Sequence, residues 1–334
     1  MSKSQPPAST IPPQTQDGIH EKPPIDKGMS VASFDGSFAP LVRPTVRRTI
    51  PWYKDREYFL GGWTNPSIWK AAVVEAVATS CLVYVSLLTA ATLFSYNTPQ
   101  LGAYIGISNV VLLSIFIYAT SPASGGHMNP MITFSAVLAG ICPVSRGIPV
   151  RHQTFSHTLK TPPTNKPGVL YLCAQTLGAA LAGGVLTGVW GQEKAAAIHG
   201  GGCFFSPAIT TPGQVFLNET FASFAILYLA YGVGLDPRQA VFFGPRLGPL
   251  LVGASLGLLT FASSGIAEGY GGAQMNPARC FAAGIVRKDM SYQWIWWFGP
   301  AAASVLLALF YNAIPPHHNE DEKLKQECRS QSAV

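Results

Sequence analysis

Charge is what this chain has least of. Only 11% of its 334 residues are charged, against about 25% in ordinary soluble proteins, while 48% are hydrophobic. Too little charge to clothe a soluble surface argues for lipid as the solvent. The formal net charge is +6, but the lysines and arginines fall in short stretches outside the apolar runs. They form no basic stripe with interleaved aromatics, so a nucleic-acid partner is not expected. The six cysteines (81, 142, 173, 203, 280, 328) contain no CxxC pair, and the seven histidines show no HExxH or paired zinc spacing. Neither a disulfide framework nor a metal site is indicated, and no cofactor is expected. No nucleophile, base or metal cluster suggests an enzyme. The N-terminus lacks the apolar core of a cleavable signal peptide.

What is present is long apolar runs. Residues 1–66 hold ten of the 27 prolines and read as a flexible tail. After it come six stretches able to cross a hydrocarbon core, which takes ~20 residues of helix. They lie at about 71–93, 101–120, 168–190, 215–235, 247–267 and 292–314, interrupted by charge only at Glu75 and Glu219. Two shorter apolar segments, Pro130 to Ile141 and Pro277 to Val286, cannot span and fall in the length class of re-entrant half-helices. Each begins Asn-Pro. Asn is a favoured N-cap and Pro a favoured first helical residue, so Asn129-Pro130 and Asn276-Pro277 each start a helix at a defined position.

The two segments are copies. Gly125-x-x-Met128-Asn129-Pro130 with Phe134 returns 147 residues later as Gly272-x-x-Met275-Asn276-Pro277 with Phe281. Glu75 precedes the first Asn-Pro by 54 residues and Glu219 precedes the second by 57. The chain is therefore a unit of three spans plus one half-helix, written twice, and an odd number of spans inverts the second copy. Inverted repeats place their broken segments at the bilayer midplane, where irregular backbone must be buried or line a watery path. The expected architecture is all-α: six transmembrane helices and two half-helices. Residues 67–316 form the membrane domain, with repeats at about 67–190 and 215–316, a connection at 191–214, and a C-terminal tail at 317–334. Six spans put both termini on one side, and that side collects 18 of the 22 lysines and arginines. The positive-inside rule makes it cytoplasmic and turns the 191–214 connection with Cys203, and Glu268, outward.

The segments SGGHMNPM at 124–131 and GGAQMNPARC at 271–280 resemble the paired motifs of the major intrinsic proteins, the aquaporin and aquaglyceroporin superfamily. The resemblance covers about residues 67–316, with Glu75 and Thr79, Glu219 and Thr220, Gln175 and Gly178, and Gly299-Pro300 as supporting marks. Cys280 directly after NPAR, Met131 where most members carry Ala, and the long third connection are similar to the X intrinsic proteins of fungi and plants. The resemblance implies a passive channel, a homotetramer in the lipid bilayer, and pore asparagines Asn129 and Asn276 with motif partners Pro130, Met131, Pro277 and Ala278. Met131 leaves the cap intact but adds apolar bulk near the midpoint, where it is expected to narrow the lumen.

The resemblance also implies a selectivity filter of Asn109, Ser264, Ala273 and Arg279. These residues leave more room than the aromatic ring and histidine of strict water channels. Small uncharged solutes such as glycerol, urea, hydrogen peroxide and boric acid are the expected permeants, with water, while protons and ions are excluded. The alternative is a narrow water channel, for which the Trp296-Trp297 pair and the lack of a large apolar filter ring speak. A gradient-coupled transporter is the other class that uses inverted repeats. Under it Glu75 and Glu219 are proton relays; the favoured reading makes them structural carboxylates that accept hydrogen bonds from the backbone beside each half-helix. His127 has two readings, a residue that turns its backbone carbonyl to the lumen or a structural residue of the vestibule. Cys280 is either the point where a mercurial blocks flux or simple packing. Cys203, counted as a lone cysteine on its side, is expected to pair only between subunits. His152, His157 and Arg47-Arg48-Thr49 lie in cytoplasmic segments, and the plasma membrane is the expected residence. Gly178-x-x-x-Ala182 and Gly253-x-x-x-Gly257 are close-packing faces, within a subunit or between subunits.

Overall fold

The structure is a computed structural model that describes residues 66–141, 168–236, 243–267 and 269–313. The tails, Arg47-Arg48-Thr49, the 142–167 connection with His152 and His157, and Glu268 lie outside the described residues.

Among the described residues, six helices are long and apolar enough to cross a membrane. They are α1 (Pro66–Ser95), α2 (Leu101–Ser124), α4 (Gly168–Ala197), α5 (Pro212–Ala230, continued by a π-turn at Tyr231–Leu235), α6 (Gly244–Ser263) and α8 (Gln293–Ala313). Between them lie two half-helices, α3 (Pro130–Leu138) and α7 (Pro277–Arg287). The spans run close to the positions expected from hydropathy. The clearest departures are at two ends: α4 bends at Gly191 (φ 69°, ψ 168°) and carries one more helical piece into the connection, and α6 stops at Ser263. The early stop follows from the sequence Ser263-Ser264-Gly265, whose short hydroxyl side chains and glycine favour a cap over continuation.

The helices pair as an inverted repeat should. The first and third spans of each copy lie together, α1 on α4 and α5 on α8, while the second spans of the two copies, α2 and α6, pack on one another. Each half-helix then crosses over, α3 packing on α8 and α7 on α4. Small residues make these approaches possible. A Cβ on Gly178 would lie 2.1 Å from the Ala76 carbonyl oxygen, and a Cβ on Gly257 2.6 Å from the Gly106 oxygen. Both glycine faces therefore pack within this chain.

The half-helices start where their caps dictate. Asn129 Oδ1 accepts from the Met131 N–H at 2.9 Å, and Asn276 Oδ1 accepts from the Arg279 N–H at 3.2 Å, each with Pro in the first turn. With six crossings and two returning half-helices, Pro66 and Ala313 lie on one face, the terminal face. The 198–211 connection lies on the other, the loop face.

Candidate functional site

The two Asn-Pro motifs meet. Asn129 Nδ2 donates to the Met275 carbonyl at 2.8 Å, and Asn276 Nδ2 donates to the Met128 carbonyl at 3.3 Å. Each carboxamide has two N–H groups, so this cross-brace occupies one and leaves a second to offer. Presenting those carbonyls requires left-handed backbone at Met128 (φ 47°) and Met275 (φ 53°), a conformation that costs a non-glycine residue about 1–3 kcal/mol.

Buried carboxylates hold that backbone in place. Glu75 accepts from the His127 N–H at 3.0 Å and the Met128 N–H at 2.7 Å, and from Ser124 Oγ at 2.6 Å and Gln175 Nε2 at 2.8 Å. Glu219 accepts from the Gln274 N–H at 2.8 Å and the Met275 N–H at 2.5 Å. Each carboxylate thus spans the two residues before the cap of its own repeat, on backbone that no helix or sheet partner satisfies. Gly299 leaves room for Glu219: a Cβ there would stand 3.1 Å from its Cγ.

Around the motifs runs a cavity of about 510 Å³. Phe94 and Phe204 line its end at the loop face; Val233, Gly234 and Pro245 line its end at the terminal face. Asn109, Ser264, Ala273, Arg279, Asn129, Asn276 and His127 all line it between these ends. Asn109 Nδ2 donates to Thr260 Oγ1 at 3.1 Å, so the α6 side chain level with Asn109 is Thr260, one turn before Ser264. Ser264 instead caps α6, its hydroxyl turned back to the Phe261 carbonyl at 2.8 Å, opposite Gly102. Counting back from the motif singled out Ser264 and overlooked Thr260; the polar residue one turn earlier on the same helix face was the available signal.

Arg279 enters the cavity from the first turn of α7 and is clamped by three segments. Its Nε donates to Ser86 Oγ of α1 at 3.0 Å, Nη2 to the Gly201 carbonyl at 3.0 Å, and Nη1 to Gln274 Oε1. The loop that supplies Gly201 is itself held by Arg287, which donates to the carbonyls of His199 (3.0 Å), Gly202 (2.7 Å) and Cys203 (3.2 Å). These bonds draw the connection down onto α7.

That descent corrects the reading of two cysteines. Cys203 and Cys280 form a disulfide, with Cα atoms 5.3 Å apart. Cys203 therefore pairs within the chain, although a position in the connection between spans suggested that it had no partner at its depth. Cys280 is neither a free thiol for a mercurial nor a lone packing residue; it anchors the loop beside Arg279. The missing signal was the length of the connection, which is enough to re-enter.

The model of the major intrinsic protein family matches residues 62–151 and 153–311. The chain belongs to the major intrinsic protein family. Similar proteins include the probable aquaporin TIP-type alpha of Phaseolus vulgaris, 27% identical over 77% of this chain and 92% of the relative. Aquaporin PIP1-1 of Arabidopsis thaliana is 28% identical over 75% and 80%. Among solved structures, the aquaglyceroporin from Plasmodium falciparum superposes with a TM-score of 0.54 at 18% identity, covering 74% of this chain and 96% of that one, and so shares the fold. The protein is a multi-pass membrane channel for water and small solutes and catalyses no reaction.

Within a major intrinsic protein the third motif residues have a clear place. Met131 does not narrow the lumen. It is 2% exposed, absent from the cavity wall, and buried with Ala222, Ile226, Ala303 and Leu307 of the second repeat. Ala278 is its counterpart, buried with Val83, Ala179 and Ala182 of the first repeat. One residue past the Pro, the helix has already turned its side chain away from the axis. His127 is buried, with Nδ1 3.1 Å from Thr133 Oγ1 and its ring edge-on to Tyr171.

Proposed function

We propose that this channel passes small uncharged solutes, among them glycerol, urea, hydrogen peroxide and boric acid, together with water, and that it excludes protons and ions. One observation carries the reading: the cavity that Arg279 lines also has Asn109 with Thr260, Ala273 and Ser264 in its wall, with neither a histidine nor an aromatic ring at those positions. Short polar side chains leave width, and their hydroxyl and amide groups replace part of a solute's hydration shell. The fixed guanidinium supplies donors to neutral oxygens and repels cations. The two half-helix N-termini add partial positive charge at the midplane, about +0.5 each. There the second N–H of Asn129 and of Asn276 meets the passing molecule.

We also place both termini in the cytoplasm and the 198–211 loop outside, in the plasma membrane, from the distribution of lysine and arginine. A homotetramer and membership of the X intrinsic proteins complete the reading. Cys280 after NPAR, joined to the long loop, supports that subgroup.

The test is stopped-flow light scattering on proteoliposomes challenged in turn with an impermeant osmolyte, glycerol and urea, beside empty vesicles and an Arg279→Val variant. Rapid reswelling with glycerol or urea is expected. Fast water shrinkage without solute entry would instead establish a narrow water channel. A solute flux that follows an imposed proton gradient would point to coupled transport. Arg279→Val is expected to keep water flux and to admit protons.

A further inference from the structure

Gln274 is held as though its orientation matters. Its Nε2 donates to the carbonyls of Gly271 at 3.0 Å and Gly272 at 2.9 Å, which uses both amide hydrogens. The carbonyl end of the amide is thereby forced toward Arg279, and Oε1 accepts from Nη1. The O and N ends of a glutamine are often ambiguous, but here two carbonyls on one side and a cationic donor on the other leave a single assignment. Gln274 also lines the cavity, and its backbone N–H is separately committed to Glu219. The side chain thus braces the two glycine carbonyls leading into the motif with its nitrogen and presents its oxygen to Arg279.

The chemistry of the acceptor is significant. Of the side chains clamping Arg279, Ser86 supplies a hydroxyl, Gln274 a carboxamide and Cys203 a disulfide sulfur, all neutral. A neutral acceptor fixes the guanidinium plane without adding a negative charge beside it. A carboxylate at the same place would fix it more tightly but cancel the positive charge, and the filter would lose its barrier to cations. The pseudo-equivalent residue in the first repeat, His127, has its ring nitrogen on Thr133 of its own repeat, so the bond between this position and an arginine has no counterpart in the first repeat.

We propose that Gln274 is a selectivity-determining positioning residue, a lumen-lining neutral acceptor that sets the orientation of the Arg279 guanidinium and so tunes the ratio of solute to water passage. The proposal rests on Arg279 acting as the filter, as argued above.

The experiment is a double-mutant comparison in proteoliposomes of the full chain, reading urea and water permeabilities and proton leak for wild type, Gln274→Met, Gln274→Glu, Arg279→Val and Gln274→Met with Arg279→Val. Gln274→Met keeps length and removes the acceptor; it is expected to shift the urea-to-water ratio by about threefold or more, the scale of a weakened hydrogen bond. Gln274→Glu is expected to raise the proton leak. In the Arg279→Val background Gln274→Met is expected to change nothing further. An equal effect of Gln274→Met in both backgrounds would show that the side chain acts as wall and not through the arginine, overturning the proposal. A normal ratio in Gln274→Met beside an altered Arg279→Val would overturn it while leaving the filter intact. A normal Arg279→Val would bring down the filter reading, and this one with it. Should Gln274→Glu fail to insert, Ser86→Ala removes a second neutral acceptor and is expected to shift the ratio in the same direction as Gln274→Met; no shift there, with Gln274→Met normal, overturns the proposal.

Discussion

Replacing Glu75 by glutamine changes one oxygen to an NH₂ group and no volume, yet the geometry makes it a severe substitution. Four donors converge on the carboxylate: Ser124 Oγ and the His127 N–H on Oε1, the Met128 N–H and Gln175 Nε2 on Oε2. A glutamine that keeps its oxygen toward Ser124 and His127 points NH₂ at Met128 and Gln175. Gln175 can flip its own amide to accept, because its other partner, Thr133, is a hydroxyl that both donates and accepts. The Met128 N–H cannot adapt. It is left buried and facing another donor, which costs about 1–3 kcal/mol, on a residue already in strained left-handed backbone. With the weakening of the two surviving bonds, the total is roughly 2–4 kcal/mol, or about 3–6 °C in the thermal midpoint of a chain this size. Glu75→Ala strips all four bonds to a charged acceptor, on the order of 6 kcal/mol or more, comparable with the whole stability of many proteins. Intrinsic tryptophan fluorescence on heating the purified protein in detergent reads both variants. A Gln variant melting within about 2 °C of wild type, or an Ala variant no worse than Gln, would refute the reasoning.

Three further outcomes follow from the same geometry. Met131→Ala is expected to leave solute permeability unchanged and to lower stability by about 2–5 kcal/mol, because it opens a cavity among Ala222, Ile226 and Leu307; faster glycerol reswelling would contradict this. Reducing the Cys203–Cys280 bond, which closes a separation of 77 residues, removes at most about 4–5 kcal/mol, the free-chain limit, since the spans inside that loop are already inserted. Thiol labelling of the unfolded chain should find two more thiols after reduction than before, and an equal count would disprove the bond. His199 is stacked on Phe204 at 4.2 Å, and burial, then the nearby Arg287 charge, holds its pKa below the ordinary histidine value. The unfolded state therefore takes up the proton more readily, and stability is expected to fall as pH drops below about 6.5, less so in His199→Gln. Midpoints at about pH 7.5 and about pH 5.5 for the two proteins make the comparison.

The parts of the molecule that repeat were the parts that could be read from sequence. Apolar length marks the six spans, and the twofold Asn-Pro start fixes both half-helices to the residue, because cap and proline act locally. What hid from the sequence was contact between distant segments at equal depth. Cys203 looked solitary because counting spans assigns it to a face, whereas the loop descends through Arg287 and Gly201 until its sulfur meets Cys280. Met131 looked like a constriction because it stands beside Asn129 in sequence, yet α3 turns it away into the second repeat. Thr260 went unnoticed because spacing along a chain counts residues, while the level of a side chain depends on where α6 stops and how α2 lies against it.

The same crossing of repeats ties the two half-helix starts to one another. Each pore asparagine caps its own half-helix with Oδ1 and braces the other repeat's methionine carbonyl with Nδ2, so neither motif reaches its geometry without its counterpart. Met131 seats the first half-helix in the second repeat, and Ala278 seats the second in the first. Rotation of either repeat would have to break the asparagine hydrogen bonds between the motifs and unpack a buried residue together. The loop face is built differently. Arg279 is held by α1, by the segment before α7 and by a loop covalently tied to α7, so its position depends on connections outside the repeat. Under the proposed function the labour divides accordingly: the symmetric centre would supply a fixed pair of donors and a positive potential, and the asymmetric loop face the discrimination between solutes.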